Sequence, residues 1–145
     1  MRLKIAYNNK AREGFMPGWG FSCLLEEENV LLDTGADYDT LQYNMQKLGI
    51  ERVDKIVISH RHWDHTGGLE GFADTEVVWP DKEEGFRVSG NLFSTGALPT
   101  PFGIKEQALY FESSKGLVIV VGCSHPGVDK IIERVKYIEG VKDNS

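Results

Sequence analysis

The chain has few cysteines, no long apolar run and no excess of positive charge. Its 2 cysteines, Cys23 and Cys123, form no CxxC pair, so we exclude a disulfide framework and expect both thiols to be reduced. The longest apolar run, residues 117–121, has the length of a strand, whereas a membrane-spanning helix needs roughly 20 apolar residues. Because 16 basic residues stand against 22 acidic ones, with a formal charge of −6, we expect neither a nucleic-acid partner nor membrane binding.

The length and composition are typical of one compact globular domain. A chain of 145 residues can bury a core, but it is short for two full domains. The hydrophobic fraction of 41% and the charged fraction of 26% are ordinary for a soluble protein. Residues 1–7 lack the apolar segment and the cleavage site of a secretory signal. We therefore expect a single domain over residues 1–145, located in the cytoplasm.

Strand and helix periodicities alternate through the first half of the chain. A helix is predicted from Tyr38 to Leu48, where apolar residues recur at helical spacing and Gly49 provides an ending. Alternating or β-branched runs predict strands at 3–7, 21–25, 30–32, 53–58 and 76–79. The second and third of these flank a polar turn and predict a hairpin. The fourth leads directly into His60.

The second half repeats this plan. Strands are predicted at 86–88, 91–93, 108–113 and 116–121, and residues 96–103 (GALPTPFG) are predicted to form a Pro/Gly loop. A helix is predicted from Val128 to Ile138, introduced by Pro126 and Gly127 and ended by Gly140. Strands followed by a helix in each half indicate an α/β protein in which helices cover sheets.

Three of the 4 histidines fall within SHRHWDHTGG, residues 59–68. Residues two apart in an extended chain point to the same side, so His60, His62 and Asp64 can converge if the backbone curls there. His65 is offset toward a neighbouring point, so one segment can serve two metal ions. Imidazole and carboxylate ligands suit zinc, iron, manganese or cobalt. Histidines buried without metal would each need another partner, and structural zinc sites usually include cysteine, so we favour a catalytic metal centre.

Two glycines follow the histidines, and we expect Gly67 and Gly68 to let the chain turn tightly around the metal. The segment HRHWDH, residues 60–65, matches the HxHxDH signature of the metallo-β-lactamase superfamily. LLDTG, residues 31–35, resembles the motif that precedes this signature in the superfamily. GCSHPG, residues 122–127, resembles a group of members that includes metal-dependent hydrolases and ribofuranosylaminobenzene phosphate synthase-like proteins.

The resemblance implies an αββα sandwich with the metal ions at one edge. It also implies that Asp33 orients residues 59–68, called the histidine loop below. Asp64 is implied to be the catalytic residue that orients the attacking water. One or two ions per chain are expected, zinc first, with iron, manganese or cobalt as alternatives. The implied ligands are His60, His62 and His125 for the first ion, and Asp64 and His65 for the second.

The resemblance is incomplete at the C-terminal end. Related sequences usually add a bridging ligand and a final histidine, whereas no histidine follows His125. Cys123 and Asp129 are candidates for the missing ligand, although a lone cysteine at a strand end is more often buried. The sandwich also looks short at its C-terminus. We therefore expect either a chain completed by a second copy in a homodimer or a fragment, with the second ion bound more weakly.

These features predict a hydrolase in which a metal-activated water attacks an ester, amide, thioester or phosphate bond of a small soluble substrate. The loop 8–22, which carries the aromatic Trp19, is predicted to fold over the metals as a lid. Residues 96–103 are predicted to line the opposite wall of the site. The alternative for each segment is an ordinary surface loop. A second hypothesis is a non-catalytic metal-binding or metal-sensing module. A third is an aspartic protease built on the DTG of residues 33–35, which leaves the histidine cluster unexplained.

Overall fold

The computed structural model describes residues 1–141, and the chain divides into two compact units, Met1–Trp79 and Pro80–Ser145. Each unit combines a sheet with a helix, which confirms the predicted α/β class. No helix among the described residues is long and apolar enough to cross a membrane. No disulfide is present in this part of the chain either, and burial raises the pKa of the Cys23 thiol to about 11.

The first unit is built on a five-stranded sheet whose spatial order follows the chain. The strands are β1 (Leu3–Tyr7), β2 (Ser22–Leu25), β3 (Val30–Leu32), β4 (Lys55–Val57) and β5 (Glu76–Val78). The first three pair antiparallel, whereas β3, β4 and β5 pair parallel. The parallel strands end at the same edge of the sheet, so the loops that follow β3 and β4 are neighbours there.

The helix α1 (Tyr38–Lys47) covers one face of this sheet. Its first turn is capped by Asp37, whose side chain accepts a hydrogen bond of 2.8 Å from the Thr40 amide. Its buried side includes Leu41 and Met45, which pack in one apolar cluster with residues of β2, β3 and β4. Gly49 adopts a left-handed φ of 74° just after the helix, as the sequence predicted.

The second unit contains a four-stranded antiparallel sheet made of β6 (Phe86–Ser89), β7 (Leu92–Ser94), β10 (Leu109–Ser113) and β11 (Gly116–Val120). The spatial order of these strands is β11-β10-β7-β6. The predicted Pro/Gly loop is partly wrong, because β8 (Leu98–Pro99) lies within it and pairs with β9 (Lys105–Glu106). In this ribbon Leu98 pairs with Glu106 and Pro99 with Lys105, and no local periodicity reveals the pairing.

The helix α3 (Val128–Glu139) closes the described part of the second unit and ends at Gly140, as predicted. Its predicted apolar face is only half buried. Ile131 and Val135 are buried, and Ile131 packs with Leu98 and Ala108. Val128 and Ile132 on the same helix are exposed. The face therefore keeps apolar surface in contact with solvent.

Candidate metal centre

The carboxylate of Asp33 contacts two residues of the histidine loop, Ser59 and His65. Asp33 follows β3, is fully buried and adopts a left-handed φ of 61°. Its Oδ1 accepts a hydrogen bond from the Ser59 amide at 2.7 Å, and its Oδ2 accepts one from the Ser59 hydroxyl at 2.6 Å. Oδ2 also lies 2.6 Å from Nδ1 of His65. Burial raises the pKa of this carboxyl above its ordinary value, and the hydrogen bonds from His65 and Ser59 oppose that shift.

This network defines which nitrogen of each ring carries a proton. A carboxylate only accepts, so Nδ1 of His65 donates to Asp33 and its Nε2 keeps a lone pair. The single hydroxyl proton of Ser59 goes to Asp33, so the Ser59 oxygen accepts from Nδ1 of His60 at 2.8 Å. In a neutral ring with its proton on Nδ1, Nε2 keeps the lone pair that can bind a metal.

The remaining predicted ligands of the first unit lie beside these rings. The ring centroids of His60 and His62 are 4.7 Å apart, and those of His60 and His65 are 4.2 Å apart. Oδ2 of Asp64 lies 3.7 Å from Nε2 of His65, which is too long for a strong hydrogen bond. The first unit thus brings together four of the five predicted ligands: three imidazoles and one carboxylate.

The curl that the predicted convergence requires takes the form of a helical turn. A short helix, α2 (Trp63–Thr66), begins directly after His62. The His62 carbonyl accepts hydrogen bonds from the amides of His65 and Thr66 at 3.0 and 3.2 Å. Asp64 and His65 therefore sit on a helical turn, whereas His60 and His62 precede it.

The two glycines after the histidines are needed for a different reason from the one predicted. Gly67 and Gly68 have φ values of −61° and −87°, which any residue can adopt. A Cβ on Gly67 would lie 1.9 Å from the Ala36 carbonyl oxygen, and one on Gly68 would lie 2.4 Å from that of Thr34. The glycines therefore allow the histidine loop and the turn after Asp33 to pack backbone against backbone.

His125 belongs to the second unit and lies between β11 and α3. Its Nδ1 is 2.8 Å from Oε1 of Glu106, a buried residue of β9. Sequence reasoning missed Glu106, because Lys105-Glu106-Gln107 looks like an ordinary polar loop. Cys123 is exposed, contrary to the expectation that it would be buried. The role of His125 as third ligand of the first ion stays a prediction.

Residues 22–107 of the chain match the metallo-beta-lactamase superfamily. The matched segment covers more than half of the chain and includes both Asp33 and the histidine loop. The chain belongs to the metallo-β-lactamase superfamily. Its α/β fold is the metallo-β-lactamase fold, and HxHxDH and LLDTG are the superfamily motifs that meet at the edge of the first sheet.

Several known proteins resemble the chain over most of its length. An uncharacterized protein of Methanocaldococcus jannaschii is 23% identical, with 97% of this chain and 76% of that protein covered. The 7,8-dihydropterin-6-methyl-4-(beta-D-ribofuranosyl)-aminobenzene-5'-phosphate synthase of the same organism is 24% identical over 86% of this chain and 68% of its own length. The crystal structure of Tm1679, a metal-dependent hydrolase of the beta-lactamase superfamily, superposes with a TM-score of 0.78 at 25% identity and covers 97% of this chain and 72% of its own.

The predicted lid is tied to the rest of the first unit at two points. The side-chain amide of Asn44 on α1 pairs with the backbone of Met16, with hydrogen bonds of 2.9 and 2.8 Å. At the other end, the Phe21 amide lies 3.4 Å from the Asp64 carbonyl oxygen. Trp19 stands between these anchors with 64% of its surface exposed. An exposed tryptophan thus lies two residues from a backbone contact with the histidine loop, which is where a substrate-contacting residue is expected.

The aspartic-protease hypothesis does not fit the environment of Asp33. That mechanism requires two carboxylates that share a proton at the point where substrate binds. Asp33 is fully buried, and both of its oxygens accept hydrogen bonds from Ser59 or His65. Its DTG is the superfamily motif that supports the histidine loop.

Proposed function

We propose that this protein is a metal-dependent hydrolase of small soluble substrates. The observation that carries the proposal is the Asp33–Ser59 network, which holds His60 and His65 as tautomers suited to metal ligation. Membership in the superfamily, and similarity to a metal-dependent hydrolase and to a synthase, support a metal-dependent enzyme. The proposed ligands are His60, His62 and His125 for one ion, and Asp64 and His65 for another.

The donor set fits a divalent transition metal. Neutral imidazoles and one carboxylate match the preferences of zinc, and iron, manganese and cobalt accept the same groups. When bound, such an ion supplies Lewis acidity, which makes water nucleophilic near neutral pH and polarises the bond to be cleaved. Asp64 is partly exposed, so its carboxylate can reach both water and metal and can orient the nucleophile. The ring of His65 cannot swing away, because Asp33 holds its Nδ1.

Elemental analysis of the purified protein, together with its solution mass, tests the proposal directly. The wild-type chain is expected to hold at least one transition metal and to hydrolyse at least one member of a panel of chromogenic ester, amide, thioester and phosphate substrates. His62→Ala should lose most of the metal together with that activity. Glu70→Ala, an exposed position just beyond the histidine loop, is the control and should keep both.

Two results would contradict this assignment. A His62→Ala protein with full metal stoichiometry would remove His62 from the ligand set. A wild-type protein that holds its metal but cleaves no member of the panel would favour the non-catalytic metal-binding module.

We also propose that the protein forms a homodimer and holds its second ion more weakly than its first. The exposed apolar residues Val128 and Ile132 of α3 support self-association. Asp64 and His65 give the second ion two side-chain ligands, so dialysis should leave nearer one metal than two per chain. A monomer in solution that retains two tightly bound ions would contradict both statements.

Trp19→Ala is expected to raise KM or lower kcat without removing metal. The ring is mostly exposed, so its loss should leave the melting temperature close to that of the wild type. Tyr137→Ala, at an 85% exposed position on α3, is the control and should change neither kinetics nor stability. A marked fall in the melting temperature of the Trp19 variant would mean that the ring serves packing and not substrate.

A further inference from the structure

Buried acidic side chains are rare in this protein. Among residues 1–141, two carboxylates are buried: Asp33, with no exposed surface, and Glu106, with 1%. Removing a carboxylate from water is costly unless the protein supplies hydrogen bonds in return. Each buried acid therefore needs a specific reason to be where it is.

The two buried acids face the same kind of atom. Oδ2 of Asp33 lies 2.6 Å from Nδ1 of His65, and Oε1 of Glu106 lies 2.8 Å from Nδ1 of His125. In the first unit this contact keeps the proton on Nδ1 and the lone pair on Nε2. A similar distance to the same ring atom occurs in the second unit, where the acid, Glu106, belongs to no sequence motif.

We infer that Glu106 is a positioning residue that prepares His125 for metal binding. Its carboxylate accepts the Nδ1 proton of His125, which leaves the lone pair on Nε2 and fixes the plane of the ring. The inference rests on the proposed function, because it requires His125 to be a metal ligand. It adds a residue outside both the HxHxDH and the LLDTG motifs.

The surroundings of Glu106 and His125 hold this pair in place. Glu106 is fixed by the β8–β9 ribbon, in which it pairs with Leu98. The ring of Phe102 meets that of His125 edge to face, with centroids 5.5 Å apart. The turn that carries His125 includes Ser124 at a φ of 58°, a left-handed conformation that costs energy for a residue other than glycine. A side-chain hydrogen bond to a rigid ribbon is a direct way to keep such a turn in one conformation.

A merely structural role makes a different prediction for the ring. If Glu106 only stabilises the loop, its replacement should leave unchanged the choice between the two neutral tautomers of His125. A positioning role requires that choice to depend on the Glu106 carboxylate. Two-bond proton–nitrogen NMR spectra of histidine distinguish the two tautomers, and they can be recorded on the metal-free full-length protein.

The test compares Glu106→Gln and Glu106→Leu with the wild type. Leucine has a similar volume but no acceptor, whereas the amide of glutamine can donate as well as accept and so permits the competing tautomer. Glu112→Leu, at an exposed position of β10, is the control. A His125→Asn variant assigns the His125 signals. The wild type and the control should show His125 protonated at Nδ1, Glu106→Gln a mixture of tautomers, and Glu106→Leu a loss of the Nδ1 form.

Metal affinity provides the second measurement, by competition between each variant and a chelator for Zn²⁺. Loss of an outer hydrogen-bond partner typically weakens metal binding by about 10- to 100-fold, and we expect Glu106→Leu to fall in this range, with a smaller loss for Glu106→Gln. If the leucine variant does not fold, the glutamine variant still carries the test. Unchanged tautomer and affinity in the folded variants would overturn the inference.

A different result, obtained with His125→Asn, would contradict the proposed ligand set. If His125→Asn binds Zn²⁺ as tightly as the wild type, His125 is not a ligand, and the positioning role is overturned together with that part of the ligand set. If His125→Asn loses Zn²⁺ while the Glu106 variants keep it, the ligand set stands and only the role of Glu106 is wrong.

Discussion

Asp33→Asn is expected to weaken metal binding by about 10- to 100-fold in a protein that still folds. Asparagine has the size of aspartate and tolerates the left-handed φ of 61° at this position. Its amide nitrogen, however, would replace the oxygen that accepts from Nδ1 of His65. The ring would then have to accept at Nδ1 and carry its proton on Nε2, the atom that should bind metal.

Asp37→Asn is the matched control for this substitution. Asp37 also accepts hydrogen bonds, from the Thr40 amide and the Tyr7 hydroxyl, but it caps α1 and lies outside the histidine loop. Asparagine caps helices about as well as aspartate, so metal content should not change. Titration with Zn²⁺ in the presence of a chelator measures both variants. Equal affinities for Asp33→Asn and the wild type would show that the carboxylate does not set the tautomer of His65.

Gly67→Ala is expected to destabilise the protein by about 3 kcal/mol, at the upper end of the usual cost of overpacking. Helix propensity alone predicts the opposite, a gain of about 1 kcal/mol, because Gly67 has helical φ and ψ angles. The new methyl group would lie 1.9 Å from the Ala36 carbonyl oxygen, and a backbone atom cannot rotate away as a side chain can. The histidine loop would have to move off the turn after Asp33, and metal should be lost as well.

Gly49→Ala separates this clash from the loss of glycine itself. Gly49 has a φ of 74° and open space where a Cβ would stand, so alanine there should cost about 1–2 kcal/mol through backbone conformation alone. Its metal content should match that of the wild type. Urea denaturation gives the free energy of unfolding for both variants. A Gly67→Ala protein as stable as the wild type would mean that the loop and the turn do not pack as closely as the structure shows.

Local patterns were sufficient to predict most elements of both units. The hairpin of β2 and β3, the helices α1 and α3 and the strands next to the histidine loop all follow from periodicity or from a glycine at a helix end. The HxHxDH segment also predicted convergence correctly for the first unit, because its residues are neighbours in the chain. Such features depend on contacts between residues that are only a few positions apart in the chain. The amino-acid order alone is therefore sufficient to predict them.

Long-range contacts decided the features that the sequence did not reveal. Asp33 and His65 are 32 residues apart in the chain, and Glu106 and His125 are 19 apart, so only the folded chain shows that an acid meets each ring. The sequence predicted that Gly67 must be glycine but gave the wrong reason, because the Ala36 carbonyl that excludes a side chain comes from a distant turn. The amino-acid order therefore determined the fold class and the histidine loop. The tertiary structure determined which buried oxygen lies within 3 Å of Nδ1 in His60, His65 and His125, because packing, and not the order of residues, positions each ring against that oxygen.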